Sequence, residues 1–260
     1  MNIYRYYWNQ TVVMKLSVAM ITQNSGEVIE DSLKSLEGLW DELFVVDDDS
    51  KDNTRLIIER YGGKTFSLRN KNLGERKQWL VEKAKGDWIL VIDSDERLSV
   101  DLRNEIQKIL KYPKVSRGIA GYNIIYQNYV FGKPVYFGGE NYGKVRFFRK
   151  GKGKVEPFPL HEETVIQGNI EKLSYTIHHH SYRSFIQLFS KFSRYAFIAS
   201  EEKWKNRENV SLAKLFLYGP HMFWARFVKE KGYKDGWRGF VLAFAFSYME
   251  TLTYWILLFL

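Results

Sequence analysis

Trp88-Ile89-Leu90-Val91-Ile92-Asp93-Ser94-Asp95-Glu96-Arg97 is an apolar run of buried-strand character that stops on two carboxylates one residue apart. Side chains alternate along a strand, so Asp93 and Asp95 are predicted to share one side of the strand end. There both can reach one divalent cation or the diphosphate it holds. A second acidic strand end lies upstream, in Leu43-Phe44-Val45-Val46-Asp47-Asp48-Asp49-Ser50. Ligands of open α/β sheets bind beyond the carboxyl ends of the strands, so two such tips in one domain predict a nucleotide pocket. A lone Asp-x-Asp is commonly a solvated turn, but an ordered pair, each after an apolar strand, argues against that reading.

Working outward, Leu16 to Thr22 reads as a first strand, Asn24-Ser25-Gly26 turns the chain, and Glu27 to Leu39 carries apolar residues at helical spacing. Glu42 to Val46 forms the next strand, and a helix over Arg55 to Tyr61 ends at Gly62-Gly63. Lys64 to Leu68 is a short strand, Gly74 to Lys85 a helix with Gly86 as its C-cap, and Trp88 to Ile92 the strand that delivers the acidic pair. This alternation predicts an α/β fold, a mostly parallel sheet flanked by helices. Beyond Leu98 the pattern changes to a helix from Val100 to Leu110 and strands over Gly121 to Val130 and Lys144 to Arg149, a mixed half suited to an acceptor. From Ser184 the chain is helical, aromatic and basic. The expected organisation is an N-terminal appendage over 1–14, a catalytic domain over 15–183 with its nucleotide half up to about residue 99, and a membrane-associating region over 184–260.

Lys and Arg total 39 against 30 Asp and Glu, a net charge of +9 that calls for a polyanionic neighbour. No recognised nucleic-acid motif accompanies the charge, so nucleic acid is not an expected partner. Aromatic residues, 17% of the chain, crowd into its second half beside basic ones, which suits an anionic membrane surface. Phe240 to Leu260 is just long enough to cross a bilayer, but Glu250 in mid-segment favours peripheral attachment. The absence of cysteine removes disulfides, thiolate catalysis and zinc-thiolate sites. No charged n-region, apolar h-region and cleavage site opens the chain, which predicts no export by a signal peptide.

At the acidic tips, Thr22, Gln23 and Asn24 can offer backbone and amide groups to a base, and Asp47 can accept from an imide N–H. Asp47 to Asp49 also suit a helix N-terminus whatever the function. Arg76 and Lys77 open the helix before the acidic strand and can neutralise a diphosphate, or they can be a solvated face.

Together, Leu16 to Asn24, Val45-Val46-Asp47 with Ser50-Lys51-Asp52-Asn53-Thr54, Lys85-Gly86-Asp87-Trp88 and Ile92-Asp93-Ser94-Asp95-Glu96-Arg97 resemble family 2 glycosyltransferases with the GT-A fold. Arg146-Phe147-Phe148-Arg149, His161-Glu162 and His179-His180-Ser181-Tyr182-Arg183-Ser184 narrow the resemblance to the lipopolysaccharide core glucosyltransferase branch. Asp48-Asp49 depart from that branch, which more often has small residues there, and the triple histidine obscures its single one.

The resemblance implies inverting transfer of a sugar, UDP-glucose being the expected donor, to a lipid-linked or cell-envelope glycan at the cytoplasmic face of the membrane. Such a reaction needs a carboxylate to take the acceptor proton and positive charge on the departing phosphates. Mg²⁺ or Mn²⁺ held through Asp95 is implied for the second, with Asp93 holding ribose or a metal-bound water and His179 completing the metal shell. Asp49 and Ser94 flank these contacts, and Arg146 and Arg149 are expected at the diphosphate or a charged acceptor. Glu162, in an irregular loop after Pro157-Phe158-Pro159-Leu160-His161, is the expected base, with Glu163 as its rival. Transfer to polyprenyl phosphate differs only in its acceptor, and a nucleotide-sugar binding protein without transfer shares the same features. A phosphatase of the haloacid dehalogenase type fits poorly, because two β-α units precede the acidic pair and Glu96-Arg97 follow it.

Overall fold

The computed structural model describes residues 13–69, 71–156 and 163–260. The strands β1 (Leu16–Thr22), β2 (Glu42–Asp47), β3 (Lys64–Phe66) and β4 (Trp88–Asp93) run parallel in the order β3-β2-β1-β4. Helices α1 (Ile29–Leu36), α2 (Thr54–Arg60) and α3 (Leu73–Lys83) connect them. Every residue of β1 is buried, as a central strand covered on both faces requires. On one face Ala19, Ile21, Phe44, Val46, Ile89 and Val91 pack with Leu80, Val81 and Ala84 from α3 and its C-cap. The alternate residues Leu16, Val18, Met20, Leu90 and Ile92 are equally enclosed on the other face.

After Asp93 the chain makes a two-residue turn at Ser94-Asp95 into β5 (Glu96–Leu98), then α4 (Val100–Lys111), whose N-cap Ser99 accepts from the Leu102 amide. The sheet continues through β6 (Ile119–Val130), a branch strand β7 (Lys133–Val135), β8 (Gly143–Arg149) and β11 (Asn169–Tyr182), in the full order β3-β2-β1-β4-β8-β6-β11-β5. The strand β8 lies antiparallel to β4, so the sheet is mixed, parallel through the half that carries the acidic tips. The short β9 (Gly153–Glu156) and β10 (Glu163–Ile166) pair with each other. Helices α5 (Phe185–Lys205), α6 (Leu212–Trp224) and α7 (Gly236–Phe259) close the chain. This is the α/β arrangement with a helical C-terminal region that the sequence pattern predicts.

The compact units divide the chain differently from the expected boundaries. One holds the described residues up to Ile124 with Val145–Glu156 and Thr164–Tyr175; the other holds Ile125–Lys144, Glu163 and Thr176–Leu260. The second unit thus includes strand residues as well as the three helices.

Two local expectations are corrected. Helix α3 ends at Lys83 with Ala84 as its C-cap, so Gly86 is not the helix stop. Its role is close approach: a Cβ there would lie 2.7 Å from the Ser17 amide nitrogen and 2.8 Å from the Lys15 carbonyl oxygen, at the start of β1. Met14, counted with the appendage, belongs to the fold. It is buried, its amide donates to the Leu110 carbonyl at 2.9 Å, and its sulfur faces the Trp88 indole N–H at 3.3 Å. Residues 1–12 lie outside the described part.

Candidate active site

Register puts the acidic tips on either side of β1. Thr22 stands opposite Asp47 and Ile21 opposite Asp93, so the carboxyl ends of β2, β1 and β4 finish at one level. The loops beyond them are fastened together. The Asn24 amide donates to Ser50 Oγ at 2.8 Å, the Lys51 amide donates to Asn24 Oδ1 at 2.8 Å, and the Gln23 side chain donates to the Asp48 carbonyl at 3.0 Å. Asn24 and Asp49 both adopt positive φ, 46° and 54°, which short polar side chains tolerate better than most.

Each acid of the β2 tip has a cationic partner. Asp47 is buried and accepts from Ser50 and from Arg55 Nε, and that contact raises the Arg55 pKa. Asp48 pairs with Arg76 at 2.7 Å, and Asp49 with Arg69 at 3.2 Å and Arg55 at 3.6 Å. Two buried polar atoms, Thr22 Oγ1 and Arg76 Nε, have no hydrogen-bond partner among the described residues. A buried hydroxyl left unsatisfied costs about 1–3 kcal/mol, so an orphan at a strand tip points to a ligand group or water.

At the β4 tip, Asp93 and Asp95 are half-buried, alternating with buried Ser94 and Glu96. Ser94 Oγ lies 2.8 Å from Ser25 Oγ, which ties the acidic turn to the loop after β1. Asp93 closes the strand and Asp95 occupies the turn rather than extending it. Lys77, expected at a diphosphate, is instead fully enclosed, with its ammonium 2.8 and 3.0 Å from the two Asp93 oxygens. Arg146, likewise expected at phosphate, is buried and reaches Asp93 Oδ2 at 3.3 Å and Glu96 Oε1 at 3.6 Å. Glu96 also accepts the Asp93 amide at 3.0 Å. Lys77 and Arg146 thus hold the Asp93 carboxylate, and Glu96 holds its backbone amide.

Arg149 is corrected outright. It pairs in register with Trp88, at the opposite end of β4 and about 17 Å of strand from Asp93. There it donates to the carbonyls of Ile119 and Ser116, both at 2.9 Å, and lies over the Trp88 ring at 4.7 Å. It clamps the core and does not reach the acidic tips.

In the second unit the triple histidine lies inside β11. Alternation sends His178 and His180 to the side of Tyr129, with ring centroids 5.4 and 4.4 Å from it, and His179 to the side of Tyr126. Asn128 donates from Nδ2 to the Glu140 carbonyl at 2.9 Å and to its carboxylate at 3.1 Å, so its Oδ1 faces His179 Nδ1 at 2.9 Å. Ser181 Oγ stands 2.8 Å from Nδ1 and 2.7 Å from Nε2 of the same ring. The His179 ring thus stands against Asn128 and Ser181. Glu140 in turn pairs with Arg226 at 2.9 Å, and burial pushes its carboxyl up despite that guanidinium. Glu162 lies outside the described residues; Glu163 opens β10 and is exposed.

The donors at the β4 tip suit a hard cation. Among the described residues no group of three or more His, Asp or Glu is gathered to cage one. The tip offers carboxylate oxygen alone, the mode in which Mg²⁺ or Mn²⁺ is held by one or two carboxylates and completed by substrate phosphates.

A family model described as glycosyl transferase family 2 matches residues 17–164. An uncharacterized glycosyltransferase of Rickettsia bellii is 34% identical over 112 residues, covering 43% of this chain and 38% of its own length, so that match spans about two-fifths of either protein. Longer matches run to an uncharacterized glycosyltransferase of Rickettsia felis, 27% identical over 92% of this chain and 87% of the relative, and to the lipopolysaccharide core biosynthesis glycosyltransferase LpsC of Rhizobium meliloti, 23% identical over 92% and 90%. Among solved structures, glucosyl-3-phosphoglycerate synthase from Mycobacterium tuberculosis, in complex with Mn²⁺, UDP and glucosyl-3-phosphoglycerate, is 25% identical over 44% of each chain with a TM-score of 0.36.

Proposed function

Because the chain belongs to glycosyl transferase family 2, we propose that it transfers a hexose, with inversion, from a nucleoside diphosphate donor to a lipid-linked or cell-envelope glycan at the cytoplasmic membrane surface. UDP-glucose is the working donor. The observation that carries this reading is the level alignment of carboxylate-bearing tips on either side of β1, with half-buried Asp93 and Asp95 alternating with buried Ser94 and Glu96. The full-length relation to a lipopolysaccharide core enzyme supports the choice of acceptor.

Each residue then has a chemical task. Thr22, Asn24 and Asp47 line the base and ribose end, where the orphan Thr22 hydroxyl can take a hydrogen bond from the nucleoside. Asp93, held by Lys77 and Arg146, presents a fixed acceptor to ribose, and Asp95 would hold Mg²⁺ or Mn²⁺. When bound, such a cation supplies positive charge to the leaving diphosphate. Arg76, with its unpartnered Nε, is the cation of α3 that remains suited to phosphate. Glu162 takes the proton of the acceptor hydroxyl as that oxygen bonds to the anomeric carbon; the carbon–oxygen bond to the diphosphate breaks on the opposite face.

The test is a donor hydrolysis screen of nucleoside diphosphate sugars with and without Mn²⁺, followed by an acceptor screen. Slow, Mn²⁺-dependent release of UDP is expected. Failure of every donor to be hydrolysed or to raise the melting temperature would end the proposal. Thermal protection without transfer to any acceptor would favour a binding protein instead, and transfer to polyprenyl phosphate would replace the glycan acceptor.

A further inference from the structure

The helices after Val210 build an apolar surface whose two sides differ. On the inner side of α6, Leu215 packs with Tyr254 and Leu257 of α7. Gly219 meets Thr251 so closely that a Cβ would overlap its hydroxyl and lie 3.1 Å from the Ser247 carbonyl oxygen. That contact sets which side of α6 turns outward. The outward side carries Leu212, Phe216, Pro220, Trp224 and Val228, one every fourth residue, and the four apart from Pro220 are 46–74% exposed. The ridge continues through the π-helical turn Ala225–Lys229 and is about 24 Å long at 1.5 Å per residue. Leu217, 62% exposed, widens it. A contiguous apolar face of this length on one helix marks an interaction surface.

The segment Gly232–Phe259, which holds α7, is long and apolar enough to cross a membrane, and Phe240, Phe244, Trp255 and Leu258 on it are 40–50% exposed. Its Leu242 and Ala245 pack with Leu188 and Phe192 of α5, and α6 covers another side. It thus packs against both α5 and α6, and Glu250, half-buried in mid-segment, disfavours a crossing.

Cations gather at the ends of the ridge. Lys229, Lys231 and Lys234 are exposed in the turn between α6 and α7, and Lys205 and Arg207 are exposed just before α6. Glu208, which follows Arg207, is committed to Lys203 and Lys214 at 3.0 and 2.7 Å, and the exposed Glu230 among the turn lysines leaves them in excess. Trp224, Tyr233 and Trp237 stand half-exposed among the lysines. Amphipathic aromatics and lysines bordering an apolar helix face are the pattern of a helix lying in a lipid interface, and anionic headgroups complement the charge.

We infer that the outer ridge of α6, from Leu212 through the turn at Val228, docks in the plane of an anionic phospholipid bilayer, and that α7 supports it from behind without crossing. This deepens the membrane placement of the proposed function, but lipid binding itself needs neither donor nor acceptor.

The test is sedimentation of the full chain with phosphatidylcholine vesicles, with and without phosphatidylglycerol, beside donor hydrolysis in Mn²⁺. Binding is expected with phosphatidylglycerol, weakening in about 0.5 M salt, where screening is strong. The double variant F216E/W224E should lose roughly tenfold in vesicle affinity, each charge being costly in the interface, with donor hydrolysis unchanged. Should that variant not fold, K229E/K231E/K234E tests the same surface through its charge and should lose the preference for phosphatidylglycerol. Wild-type protein left in the supernatant, or F216E/W224E binding as well as wild type, would overturn the inference. So would a solution dimer that F216E/W224E dissociates, since a second copy would then occupy the ridge. Absent hydrolysis with normal vesicle binding would instead count against the proposed function alone.

Discussion

Asp93 in the first unit and Glu140 in the second both meet a guanidinium, yet their side chains are 28% and 7% exposed. Asp93 is gripped from behind by Lys77 and Arg146 and keeps one side open; Glu140 is closed in by Arg226 and Asn128. A carboxylate meant for a ligand must be oriented without being sealed, whereas one that braces a fold can be sealed if its partners suffice. The difference separates the tip proposed to bind donor from a carboxylate that braces the fold.

The sharpest way to break this contrast is at the open tip. Asp95→Ala should lower donor turnover about a thousandfold, the scale of losing a main electrostatic stabiliser of the leaving group, with an unchanged circular dichroism spectrum and melting temperature. Retained turnover would show that the acidic tip does not serve the reaction.

Next, Lys77→Met keeps the buried volume but removes one of the two cations from Asp93. It should cost about 3 kcal/mol in urea unfolding and also weaken UDP binding in Mn²⁺, because the carboxylate is no longer held in place. A stability loss with unchanged UDP affinity would make Lys77 a strut like Arg226.

The smallest effect is expected at the sealed carboxylate. Glu140→Gln should change stability by no more than about 1 kcal/mol at neutral pH, because burial opposes the charge that Arg226 favours, and UDP affinity should not move. Since the folded-state pKa of Glu140 is raised by burial, its contribution is fullest below its unfolded value near 4.5 and declines as pH rises through the higher folded value. Unfolding free energies measured from pH 4 upward should show that decline in wild type and lose it in Glu140→Gln.

The acidic tips were legible because an apolar run ending in aspartate is a local pattern, and local patterns survive in sequence. Lys77 left a signal as well. Its spacing to Leu80, Val81 and Ala84 places it on the buried stripe of α3, where a lysine must find a carboxylate. Read only as a basic pair with Arg76, it looked like a phosphate contact. Glu96 was similarly visible as the next inward residue after Ser94, had the alternation been carried past the turn. Arg149 and Glu140 had no such local trace. The place of Arg149 depends on antiparallel pairing with Trp88, and Glu140 meets an arginine 86 residues away.

Periodicity and turn chemistry act over a few residues, so the succession of strands and helices in the nucleotide half, the acidic tips and the helical C-terminal region could be read from the chain. Which cation faces which carboxylate, which histidine turns toward Asn128, and which helix presents its apolar side outward were settled by folding. Those choices depend on sheet register and helix packing between segments far apart in sequence, where burial and the need to satisfy every enclosed charge select one partner from many.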